Sequence, residues 1–119
     1  MNGIVGTFTR NETRASVPGH DPVVLTHKTS FALAQQAVAA GTIVGYDVNN
    51  ELDVYDPAAV TPLPIAGVIE SDLPVEAVSA LYVAHGTVDS TILATGVASP
   101  LAATEADLMA LINVGIFPK

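Results

Sequence analysis

A chain of 119 residues with four Lys or Arg, twelve Asp or Glu and no Cys excludes several functions before any motif is read. Four cations cannot build the basic surface that releases counterions from phosphate, so nucleic acid is not an expected partner. Without Cys there is no disulfide, thiolate nucleophile or cysteine-held zinc.

One domain is expected at this length. Half the residues are apolar, too many for a disordered body. Only 13% are charged, which leaves apolar surface for a neighbouring subunit to cover. The charge is also unevenly spread. Through Lys28 the chain carries Arg10, Arg14 and Lys28 against Glu12 and Asp21, a net charge of +1. After it, Lys119 stands against ten carboxylates, a net charge of −9.

Residues 1 to 21 hold the turn formers Gly3, Gly6, Asn11, Ser16, Pro18, Gly19 and Asp21, with one β-like piece at Val5-Gly6-Thr7-Phe8-Thr9. They have no helical periodicity. They read as a flexible N-terminal arm that orders by adding a strand to a partner's sheet, with residues 22 to 119 as the single β-rich domain. The N-terminus lacks a basic stretch followed by an apolar one. The most apolar run, Ala37 to Tyr46, is far shorter than the ~20 residues of a membrane span. A soluble protein made in the cytoplasm, without a membrane partner, is the expectation.

In the body, Pro22-Val23-Val24-Leu25-Thr26 reads as the first strand, since β-branched residues follow turn formers. Residues 31 to 40 are ambiguous between a short helix capped by Thr29 or Ser30 and irregular chain. Thr42 to Val48 and Leu52 to Tyr55 read as a hairpin. A three-residue loop, Asn49 to Glu51, would pair Val48 with Leu52 and Tyr46 with Val54, giving one apolar face and leaving Asp47 and Asp53 on the other. That loop asks Glu51 for a left-handed conformation better suited to Gly or Asn.

Pro57 to Pro64 is a loop stiffened by three prolines, and Ile65-Ala66-Gly67-Val68-Ile69 is a buried strand whose glycine permits close backbone approach. Ala77 to Ala84 and Thr87 to Leu93 read as two strands broken at His85-Gly86. The C-terminal helix is well punctuated. Thr104 is its N-cap, Glu105 and Asp107 sit in the first turn, Leu108, Leu111 and Ile112 form its stripe, and Gly115 stops it. An apolar contact of Leu111 with Ile116 is expected beyond that glycine. The fold class is therefore mainly β, a small barrel-like or sandwich-like body with a short C-terminal helix.

The reactive side chains form no convincing constellation. His20 and His27 lack the i, i+4 spacing that sets two imidazoles on one metal. His85, Asp89 and Ser90 are nearly adjacent, whereas a working triad converges from separate elements. Asp47, Asn49, Glu51 and Asp53 alternate like calcium ligands, but Leu52 stands where the loop needs Gly and Ala58 where it needs Glu. Glu70, Asp72 and Glu76 offer paired carboxylates, yet the chain has no Trp to line a sugar cleft. Gly41 and Gly45 lack the Lys of a phosphate loop. No enzyme, cofactor or metal site is expected. The enzyme alternative is a small oligomeric β-rich hydrolase using surface carboxylates or His85. A biotinyl-type carrier domain would need a Lys at a hairpin tip, where Asn49-Asn50 has none.

Several segments together carry a resemblance: the arm with Thr7-Phe8-Thr9, the run Ala40-Gly41-Thr42-Ile43-Val44-Gly45-Tyr46-Asp47, the strand Pro64-Ile65-Ala66-Gly67-Val68-Ile69, the segment Leu81-Tyr82-Val83-Ala84-His85-Gly86-Thr87-Val88, and the helix running into Gly115-Ile116. In element order and glycine placement the chain resembles the head-decoration, or capsid-stabilising, proteins of lambda-type tailed phages. The resemblance implies a β body that forms homotrimers on the outer surface of the virion's icosahedral capsid and reinforces it against packaged DNA, with the major capsid protein as partner. On this reading Ile4, Val5, Thr7, Phe8, Thr9, Arg10 and Arg14 are the capsid-binding residues.

Overall fold

Alternating β-branched and small residues make strand the main regular structure in the computed structural model, which describes residues 22–97 and 100–119. The elements run β1 (Val23–Lys28), α1 (Phe31–Ala34), β2 (Ile43–Tyr46), β3 (Leu52–Val54), β4 (Ile65–Ile69), β5 (Ser79–Val88), a 3-10 turn (Ser90–Ile92), β6 (Ala94–Thr95), β7 (Leu101–Ala102), α2 (Glu105–Asn113) and β8 (Ile116–Pro118). The protein is mainly β, as the strand patterns along its sequence imply.

Five strands lie antiparallel in the order β1-β5-β4-β2-β3, and β8 adds parallel to the far end of β5. The two edge strands then meet. Thr29, just past β1, bridges Leu52 of β3, and the Ser30 amide donates to the Leu52 carbonyl at 2.8 Å. The sheet is rolled toward a barrel, which removes part of its open edge.

Alternation along the strands builds two apolar clusters, one on each face. Ile43, Val68 and Val83 are in register across β2, β4 and β5 and pack with Val88, Leu93, Leu111 of α2 and Ile116 of β8. The other face gathers Val44, Leu52, Ile69, Ala80 and Tyr82 with Leu33 of α1 and Val38. Burial on both sides explains why β4 reads as an uninterrupted apolar run. At Gly67 a methyl group would meet the Val83 carbonyl oxygen at 2.1 Å, so the β4–β5 approach requires glycine there.

The hairpin differs from the expected register by two residues. Tyr46 pairs with Leu52 and Val44 with Val54, leaving a five-residue turn from Asp47 to Glu51. The apolar face survives, because a shift of two preserves parity. Val48 does not join it and is 97% exposed. The cause is the Asp47 carboxylate, whose Oδ1 accepts from the amides of Asn49 at 2.8 Å and Glu51 at 2.9 Å and so organises a turn that competes with the ladder. Asn50, not Glu51, takes the left-handed conformation, at φ 60.

The break expected at His85-Gly86 is absent. β5 runs ten residues through Gly86, and only after Val88 does the chain enter the 3-10 turn, capped by Asp89. The ambiguous segment 31 to 40 holds one helical turn, its Ser30 Oγ accepting from the Leu33 amide at 3.0 Å. Val38 then forms a two-bond bridge with Leu73. α2 has the expected N-cap, completed as a capping box by Asp107. Leu111 and Ile116, on either side of Gly115, are both fully buried in one cluster. Ile112 is turned outward instead, 41% exposed.

Candidate functional site

The arm residues Ile4, Val5, Thr7, Phe8, Thr9, Arg10 and Arg14 lie outside the described residues, as does His20. What is described is the corner at the start of β1, from Pro22 onward. Val23 pairs with His85 across β1 and β5, with a register shift before Val24. Pro22 lies against Gly86, where an added Cβ would come within 2.8 Å of the Pro22 Cα. The Gly86 amide donates to the Gly115 carbonyl at 3.0 Å. The His85 ring lies over Gly115 and stands edge-on to Phe117, centroids 6.0 Å apart.

Three distant stretches thus converge: the junction, the far part of β5 and the exit of α2. Two glycines make this possible, since Gly86 and Gly115 both have positive φ, at 125 and 89, and both lack room for a side chain. Residues 77 to 88 and 108 to 118 contain no Asp, Glu, Lys or Arg. Val23 and Val114 are both more than two-fifths exposed. The described corner is therefore built from stretches without Asp, Glu, Lys or Arg and shows apolar side chains to solvent.

The other candidates are dispersed. The Asp89 carboxylate accepts from the Thr91 hydroxyl at 2.7 Å and the Thr91 amide at 2.9 Å, which together hold it below the usual carboxylate range. Ser90 Oγ donates to the Lys119 carbonyl, and the His85 ring is engaged with Phe117. These three residues therefore do not converge as nucleophile, base and orienting acid. Asp47 is occupied by its own turn, and Asp53 accepts from the Val54 amide. Glu51 forms an ion pair with Lys28 at 3.0 Å. Of the paired carboxylates, Glu70 is buried, Asp72 accepts from the Ala40 amide at 2.8 Å, and Glu76 is exposed. Among the described residues no group of three or more His, Asp or Glu is placed to hold a metal. No described helix is long and apolar enough to cross a membrane.

Two arrangements have no counterpart in the sequence reading. Inside the curl of the sheet, Tyr46 and Tyr82 share a hydroxyl hydrogen bond of 2.7 Å, with their rings edge-on at 6.4 Å. His27 stands edge-on to Tyr46 at 5.7 Å, and its Nε2 meets the Asn50 carbonyl. Burial, reinforced by the bond to Tyr46, pushes the Tyr82 phenol up. This ladder links β1, β2 and β5 from the buried Tyr82 out to the partly exposed His27.

The second arrangement is a groove of about 300 Å³ at the seam between β1 and β3, walled by Phe31 and Val78 and rimmed by Lys28 and Glu51. The signal for it was local and faint: a Phe placed immediately after the capping Ser30, at the first position of a one-turn helix. A smaller cavity of about 230 Å³ lies among Tyr55, Asp56 and Leu101.

Comparison of the chain with protein-family models, with curated proteins and with solved structures finds no match.

Proposed function

We propose that the chain is a decoration protein of tailed-phage heads, which binds the outer surface of the icosahedral shell as a homotrimer and stabilises it against internal DNA pressure. The observation that carries this reading is the contrast between a polar leader of net charge +1 and an apolar body of net charge −9 with few reactive groups. The body's first strand begins at an uncharged platform, so the leader leaves from a surface suited to lying against a larger partner.

In this reading Ile4 to Thr9 pair as an extended strand with a sheet of the major capsid protein. Phe8 is the anchor, and Arg10 and Arg14 meet acidic shell residues. Three arms on one trimer bind together, because docking of the first raises the effective concentration of the others. The body needs no cofactor for this work. It is a rigid support made at ordinary cytoplasmic conditions and carried on the virion surface.

Deleting residues 1 to 18 tests the proposal. The expected outcome is a folded trimer that no longer co-sediments with shells. Full occupancy by the truncated protein overturns the role of the arm.

A further inference from the structure

Resting on the trimeric reading above, we propose that the seam end of the body, around Phe31 and Val78, is the face by which one copy of the chain holds the next. The arm joins at Pro22, at the opposite end of β1. Six strand residues separate the two ends, roughly 20 Å at ~3.3 Å per residue. Docking of the arm therefore leaves the seam end free for a different contact.

That end is unusually apolar. Phe31 is 81% exposed and Val78 77% exposed, on the walls of the same groove. Val75 and Val48 are also exposed, on the two loops packed against this end. One loop is fastened by the Glu76 amide donating to the Ala34 carbonyl at 2.6 Å, the other by Asn50 meeting His27. Phe31 is not held out by slack chain. Thr29 and Ser30 behind it are buried, with Thr29 Oγ1 donating to the Ala77 carbonyl and Ser30 capping α1. Large apolar side chains grouped in this way mark a contact surface, whereas single ones do not.

The charge pattern selects a second copy as the occupant. Over most of the body an excess of carboxylates makes one copy repel another. At the groove rim, Lys28 and Glu51 stand 3.0 Å apart, with Lys28 72% exposed. A cation and an anion side by side are self-complementary. A rotated copy can set its Lys28 against its neighbour's Glu51 while Phe31 enters the apolar groove, and a head-to-tail contact of this kind closes into a threefold ring when the rotation between neighbours is one third of a turn.

Light scattering at micromolar concentration tests the face directly. The wild type is expected at threefold mass, and the double variant Phe31→Ser, Val78→Ser at single-chain mass with an unchanged circular dichroism spectrum. Threefold mass retained by the double variant overturns the interface but leaves the trimer standing, with the groove then open to the shell protein. A wild type of single-chain mass overturns both. Should the double variant lose its fold, Lys28→Glu supplies the readout. Loss of threefold mass that is restored on adding Glu51→Lys supports the face, and unchanged or unrestored mass overturns it.

Discussion

The two faces of the sheet are buried by different means. On one, α2 and β8 form a continuous C-terminal segment that lays Leu111 and Ile116 over Ile43, Val68 and Val83. On the other, a single helical turn contributes Leu33, and the space is filled by Tyr82, Tyr46 and Leu52 as the sheet curls on itself. The first face is covered by a well-capped element with strong local signals. The second depends on closure between residues far apart in the chain. Local propensity secures one half of the core, and tertiary geometry secures the other.

The largest test of this contrast is Leu111→Ala, which removes the fully buried anchor of α2 and is expected to cost about 2–5 kcal/mol in urea unfolding. Tyr46→Phe probes the other face, where the Tyr82 hydroxyl would lose its partner. A loss of about 1–3 kcal/mol is expected for the orphaned group. Adding Tyr82→Phe should return much of that loss, because the pair is then replaced by apolar rings. A cycle in which the two losses simply add would show that the hydroxyl bond is not what couples β2 to β5.

The cap of α2 should matter less. Thr104→Ala breaks the capping box at an expected cost of about 1 kcal/mol, measured by the shift in thermal midpoint. Alkaline titration gives the smallest and most selective comparison. The phenol of Tyr82 is raised in the folded protein, so the native state holds its proton where the unfolded chain has released it. Stability is then fully present below the ordinary tyrosine range near pH ~10 and declines as pH rises above it. Tyr82→Phe should flatten that decline. An unchanged slope in the variant would assign the alkaline loss to other groups.

The strands were largely legible from their residues. β1, β4 and the capped α2 lie close to where alternation, prolines and caps place them. The errors arose where a side chain or a distant segment decides the backbone. Asp47 spends its carboxylate on Asn49 and Glu51 and so sets the hairpin register. Gly86 reads as a break, yet β5 passes through it because Pro22 packs on one side and Gly115 accepts its amide on the other. The meeting of Thr29 with Leu52 leaves no trace in either segment alone. Of the proposed binding surface, the leader could be recognised by its polarity. The corner at the start of β1 required the convergence of residues 22, 86 and 115, and the Phe31 groove required the seam.

The pairing of β1 with β5 also fixes how the body would carry load. A pull on the chain ahead of Pro22 enters β1 at Val23, and the strand is paired along its length with residues from His85 to Ser79. At its far end β1 is fastened again, where Thr29 and Ser30 are hydrogen-bonded to Val78 and Leu52. Tension directed along β1 is therefore resisted in shear by many bonds at once, while tension across the sheet would open them one at a time. The pairing should thus resist a pull along the first strand better than a pull across it.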